Sequence, residues 1–131
     1  MSKFQRFLKG MPFVGPDRRA LRNIRRQMTR RSEADLGAWK CEERVAAVRD
    51  VVSRLIQECM EWPTCYFIPD DPCDILFFEP FGDLRDVDAV VAIDEQFNLP
   101  TETLDGYWHL SFGELVDRIV KHREAQAADF S

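Results

Sequence analysis

The chain has 131 residues, 45% hydrophobic and 31% charged, with a formal net charge of −5. This is an ordinary composition for one soluble domain with an appendage. No stretch approaches the roughly 18 consecutive apolar residues of a membrane span, and the apolar run in the opening MSKFQRFLKGMPFVGP is broken at Pro12, too early for a signal-peptide core, so a cytoplasmic location is expected.

Charge divides the chain. Residues 1–40 hold eleven Lys or Arg against Asp17, Glu33 and Asp35, a surplus of +8, whereas residues 41–131 hold seven against twenty, or −13. That asymmetry predicts a basic N-terminal arm over 1–40, an acidic helical domain over 41–123 and a C-terminal tail over 124–131, with the boundary near Gly37 to Lys40. Within the arm, PDRRALRNIRRQMTRR puts Leu21, Ile24 and Met28 on one side of an amphipathic helix over 17–31, capped by Asp17. Arg18, Arg19, Arg22, Arg25, Arg26, Arg30 and Arg31 cover the remainder. Like charges four apart cost about 0.2–0.5 kcal/mol per pair, so the isolated helix is marginal and needs an anion to settle on. The expectation is that it forms on an acidic protein surface, burying its stripe while its arginines reach carboxylates. That surface belongs to the chain's own domain, to a second copy or to another protein. Nucleic acid is the next candidate, and an anionic membrane also engaged by Phe4, Phe7 and Leu8 is a weaker one.

The acidic part opens with CEERVAAVRDVVSRLIQECMEW, where Val45, Val48, Val52, Leu55, Cys59 and Trp62 recur at steps of three and four, one face of a helix. Glu42 and Glu43 suit its first turn and Pro63 ends it. The connection PTCYFIPDDPCDILFFEPFG is punctuated by prolines and carries Phe67, Ile68, Ile75, Leu76, Phe77, Phe78 and Phe81. It reads best as an irregular loop pinned by aromatic anchors, with two short strands over 66–68 and 75–78 as the alternative. The stretch PFGDLRDVDAVVAIDEQF predicts a helix from Leu84 to Phe97 that buries Leu84, Val87, Val90, Val91, Ile93 and Phe97, with Asn98 as a left-handed cap before Pro100. PTETLDGYW reads as one short helical turn stopped by Gly106. In LSFGELVDRIVKHRE, Ser111 and Glu114 have capping-box spacing, and Phe112, Leu115, Val116, Ile119 and Val120 form the apolar face. Lys121, His122 and Arg123 favour its C-terminal end.

The order of a long helix, a long loop, a helix, a short helix and a helix resembles the acyl carrier protein family over roughly 41–123. DLRDVDAVVAIDEQF is similar to that family's second helix, which starts Asp-Ser-Leu and ends Ala-Leu-Glu-Glu-Glu-Phe; Ala92, Ile93, Asp94, Glu95, Gln96 and Phe97 match that end. SFGELVDRIV resembles its fourth helix, and FIPDDPCDIL the loop before the cargo serine. The resemblance implies an all-α, acyl-carrier-like four-helix bundle. It also implies a phosphopantetheine serine, and there the chain departs: Asp83 occupies that position, between Gly82 and Leu84. Phosphorylating a carboxylate would give a hydrolysable acyl phosphate, so no prosthetic group is expected.

Asp83 itself is read as the cap of its helix, its oxygen accepting from an orphan amide. The alternative is a fixed negative charge, continued by Asp86, Asp88, Asp94 and Glu95, that partners recognise with Arg or Lys. Asp70, Asp71, Asp74 and Glu79 lack EF-hand spacing and read as surface loop. Cys41, Cys59, Cys65 and Cys73 contain no Cys-x-x-Cys pair and read as free thiols, buried or half-buried, and not as metal ligands. His109, among aromatics, reads as a packing or capping residue. No nucleophile and base can be matched and no glycine-rich phosphate loop occurs, so an enzyme is not expected. The reading is a noncatalytic, carrier-like interaction module whose acidic face and arm seek protein partners, with self-association among them. The alternatives are a carrier modified at an atypical residue and a nucleic-acid-binding adaptor acting through the arm.

Overall fold

The computed structural model describes residues 16–79, 83–100 and 102–129, the side chains of 128 and 129 excepted. Phe4, Phe7 and Leu8 of the arm, and Pro80, Phe81 and Gly82, lie outside these residues.

Helix α1, Arg18–Met28, starts where the Asp17 carboxylate accepts the Arg19 amide at 2.8 Å, the cap its sequence predicts. Leu21 and Met28 are buried and Ile24 is half-buried against the common core. The stripe is therefore spent on the chain's own body, one of the surfaces anticipated for it. A 3-10 helix, Glu33–Ala38, follows, opened by the Ser32 amide donating to the Asp35 carboxylate at 2.8 Å. Beyond it the Trp39 indole donates to the Phe67 carbonyl at 2.8 Å and stands edge-on to Phe112, centroids 5.5 Å apart. The boundary near Gly37 to Lys40 thus divides charge but not packing, because residues on both sides of it fill one core.

Helix α2, Glu43–Met60, buries Val48, Val52, Ser53 and Ile56. Its deepest row advances by four residues per step, which takes it to Ile56 and leaves the anticipated Leu55 half-buried at the side. Glu61 ends the helix in a left-handed conformation, φ 58°. No strand occurs among the described residues of the connection that follows. Asp71 takes the Ile68 amide on its carboxylate at 2.9 Å, the Phe67 carbonyl is taken by the Trp39 indole, and Cys73–Leu76 closes as a single turn, α3, which uses the start of the second anticipated strand. What pairs instead is a short crossing: the Phe112 amide donates to the Asp71 carbonyl at 2.7 Å, and the Cys73 amide to the Leu110 carbonyl at 3.0 Å. Phe67 is fully buried between the Trp62 and Phe112 rings, so aromatic anchors do hold this segment.

Helix α4, Arg85–Phe97, ends on Asn98 in the left-handed region, φ 50°, as the sequence implies. Its start differs. Leu84 is the residue before the helix, itself left-handed at φ 62° and 38% exposed, so it does not join the buried face. Of that face Ile93 and Phe97 are buried with Ala89, while Val87, Val90 and Val91 are half-buried. The short helical element is a 3-10 turn, Tyr107–His109, which follows Gly106 (φ 75°) and does not precede it. Helix α5, Phe112–Asp129, opens on the reciprocal box of Ser111 and Glu114. It continues six residues past 123, so most of the expected tail is helical. Phe112, Leu115, Val116, Ile119 and Val120 are all buried.

The architecture is all-α. Helix α2 packs most extensively on α4 and then on α5, the 3-10 turn at 107–109 covers α3, and α1 rests on α3. Among the described residues no helix is long and apolar enough to cross a membrane.

Candidate functional site

On a helix that turns about 100° per residue, the sequence of α1 sorts into two opposed arcs. Ile24, Met28 and Leu21 form one side. Arg25, Arg18, Arg22, Arg26 and Arg19 spread over about 120° on the other, and Arg30 follows in the turn past the Thr29 cap. All six of these arginines are exposed, and none forms an ion pair with a described residue. Among the described residues, Arg31 is the one of the seven arginines in this segment that finds a carboxylate.

Arg31, three residues past Met28 and beyond the Thr29 cap, is buried beside it. Its Nη1 lies 2.6 Å from Asp71 Oδ2 and its Nη2 2.8 Å from Asp71 Oδ1. The remaining donors reach the Tyr66 carbonyl at 3.2 Å and Gln27 Oε1 at 3.0 Å. The Arg31 and Asp71 side chains are 6% and 1% exposed, so Asp71 is a core residue and not the surface-loop acid the sequence suggests. The spacing 21, 24, 28, 31 was the available signal: the arginine falls on the buried row.

On one flank of the arginine arc, Asn23, Arg26, Gln27, Arg30 and Arg31 face Asp35 and Ile68 across a groove of about 360 Å³. Arg31 is turned inward to Asp71, and Gln27 gives its carbonyl oxygen to Arg31. The Gln27 amide nitrogen and the guanidiniums of Arg26 and Arg30 are left to donate. The Asp35 carboxylate is partly engaged by the Ser32 amide. On the opposite flank, Leu21, Arg25, Met60, Glu61 and Trp62 line a second concavity of about 320 Å³.

The acidic set on α4 does not form one face. Asp83 does not cap the helix: its carboxylate accepts none of the helix's first amides across Leu84, and it is Asp86 that takes the Val87 amide. Its carboxylate lies 2.8 Å from Arg85 Nε. The same guanidinium meets Glu61 at 2.6 Å and Glu79 at 3.7 Å. The ion pair draws Asp83 toward Arg85, and the left-handed Leu84 turns the chain before the helix begins. Asp86 and Asp94 are buried, 7% and 4% exposed. Burial pushes the Asp86 carboxyl above the usual carboxylate range, while the backbone amide of Val87, donating at 2.9 Å, opposes the shift. Only Asp83, Asp88 and Glu95 face solvent.

Ser53 is buried on α2 and Ser111 serves its cap, so neither hydroxyl offers an accessible substitute at the Asp83 position. His109 accepts the Trp108 indole N–H at 2.9 Å, a packing role. Cys73 is buried, and burial raises its thiol far above the usual range. Cys59 and Cys65 are half-buried, and Cys41, unlike the expectation, is exposed. Among the described residues no three His, Cys, Asp or Glu side chains converge as a cation site. Comparison with protein-family models, curated proteins and solved structures finds no match.

Proposed function

We propose that this protein is a noncatalytic adaptor that grips the phosphates of nucleic acid with helix α1, on an acyl-carrier-like body that bears no prosthetic arm. One observation carries the reading: five exposed arginines on the outer arc of α1, and Arg30 just past its end, have no carboxylate partner among the described residues, while the apolar edge of the same helix is used up inside the fold. Protein interfaces draw most of their energy from a few Trp, Tyr and Arg anchors seated in packed, desolvated pockets, and this arc holds arginines with no aromatic residue among them. A phosphate backbone asks only for cations along a track, and each contact gains from counterion release. The acidity of residues 41–131 repels nucleic acid elsewhere and confines contact to α1.

The carrier-like part of the proposal rests on the order of α2, the long connection, α4, the 3-10 turn and α5, together with the quoted likeness of α4 and α5. Asp83 at the cargo position supports a body without phosphopantetheine. Incubation with a phosphopantetheinyl transferase and coenzyme A should leave the intact mass unchanged; an added arm would overturn this half of the proposal.

For the binding half, affinity of the full chain for a duplex and for a single-stranded oligonucleotide is measured over a series of salt concentrations. Four to six phosphate contacts give a slope of log K against log salt of about −4 to −5 on a duplex. Replacing Arg18, Arg22 and Arg26 together by Gln should flatten that slope by about 2.7, or 0.9 per contact. No salt-dependent binding to either nucleic acid would end the reading. A protein-docking role has one specific observation in its favour, the exposed Leu84 beside Asp83 and Asp88. A partner using that patch should lose affinity in Leu84→Asp and not in the arginine variant.

A further inference from the structure

We propose that the groove beside α1 seats one unpaired nucleotide, its phosphate on Arg26 and Arg30 and its base against Ile68, so that the protein prefers single strands to duplexes. This rests on the reading of α1 as the nucleic-acid-binding element and specifies its ligand. The concavity of about 360 Å³ lies in the range of small-ligand sites, about 300–1,000 Å³.

Its chemistry is divided in the way a nucleotide is divided. Arg26, in the last turn of α1, and Arg30, in the turn just past the Thr29 cap, both line the groove, and neither guanidinium is committed to a carboxylate among the described residues. Ile68, half-buried, supplies an apolar surface for a base face. Asn23 and Gln27 sit on the helix edge between the arginines and Arg31, and their amides can meet a base edge.

The Arg31–Asp71 pair builds this wall in advance. Because Arg31 Nη2 donates to Gln27 Oε1 at 3.0 Å, the Gln27 amide nitrogen is left as a donor instead of exchanging roles with its oxygen. Because Asp71 neutralises Arg31, the groove's charge comes from Arg26 and Arg30 against Asp35. Asp35 sets the polarity: it repels a phosphate from the Ile68 side and can accept from a base amino group there. In a duplex the bases are stacked and paired, so their faces cannot reach Ile68; only the outer arginine arc can then act.

The test compares fluorescence anisotropy of the full chain with a labelled single-stranded oligonucleotide and with a duplex of equal phosphate count, at one salt concentration. Wild type should bind the single strand about tenfold more tightly, the equivalent of one good base-edge contact. Asn23→Leu, at an exposed helix position, should bring that ratio close to one and leave duplex affinity unchanged. Equal affinity for both nucleic acids in wild type, with a normal salt slope, would refute the groove while leaving the parent reading intact. Absence of binding to both refutes the two together. Displacement of the single strand by polyglutamate as readily as by unlabelled oligonucleotide would also refute the groove, since it shows charge recognition with no role for the base.

Discussion

Removing the Asp71 carboxylate should be among the most damaging single changes in the molecule. In Asp71→Ala the Arg31 guanidinium, 6% exposed, keeps the Tyr66 carbonyl and Gln27 Oε1 but has no counter-charge; an uncompensated buried ion costs about 3–5 kcal/mol. The same change strips the Ile68 amide of the acceptor it holds at 2.9 Å, and a buried donor left unmade costs about 1–3 kcal/mol more. Against a total stability of about 5–15 kcal/mol for a domain of this kind, the variant stands near its unfolding threshold. The double variant Arg31→Met with Asp71→Leu removes both charges and retains apolar volume. The ionic penalty disappears, and about 1–3 kcal/mol for the Ile68 amide remains. The double change should therefore be less destabilising than Asp71→Ala alone. Urea unfolding followed by far-ultraviolet circular dichroism and by tryptophan emission measures both, Trp39 reporting on the contact between the 3-10 helix and α5. A loss below about 1 kcal/mol in Asp71→Ala, or a double variant as destabilised as Asp71→Ala or more so, would refute the view that this buried pair joins the basic segment to the body.

Three further outcomes are expected. Gly113→Ala places a methyl group 2.9 Å from Pro69 Cβ and 3.2 Å from its Cα; overpacking of about 1–3 kcal/mol should outweigh the roughly 1 kcal/mol of helix propensity gained, so thermal unfolding should show a net loss. Ser111→Ala breaks the box in which Ser111 Oγ accepts the Glu114 amide at 3.2 Å and should cost about 1 kcal/mol; Ser111→Asn should restore most of it in the same melt. Asp86→Asn should stabilise the protein at neutral pH, because burial raises the folded-state carboxyl above its ordinary 3.8. The contribution of Asp86 to folding is fully present below that value and is lost as pH rises through its raised folded pKa. The difference between variant and wild type should shrink to nothing as pH falls below about 3.8, and a gain that is independent of pH would exclude titration as its cause.

What the sequence determined by itself was whatever is settled within a turn or two of chain. The Asp17 cap, the Ser111–Glu114 box, the left-handed Asn98 and the apolar face of α5 each depend on residues no more than a few positions apart, and each is legible as a spacing. The all-α class follows from those same periods. What only the tertiary structure decided are pairings between distant segments. Arg31 finds Asp71 forty residues away, and that meeting turns an apparent loop acid into a core residue and an apparent arm into part of the fold. Arg85 gathers Glu61, Glu79 and Asp83, which takes Asp83 out of the capping role that its position suggests. Asp86 and Asp94 look like members of an acidic face because a helical period counts angles only; which angle faces the core is set by the neighbours α4 packs against. The six outer arginines were visible as charges from the start. That they meet no carboxylate among the described residues, while the stripe behind them is spent, became apparent only once the chain was folded, since an exposed cation is defined by what surrounds it.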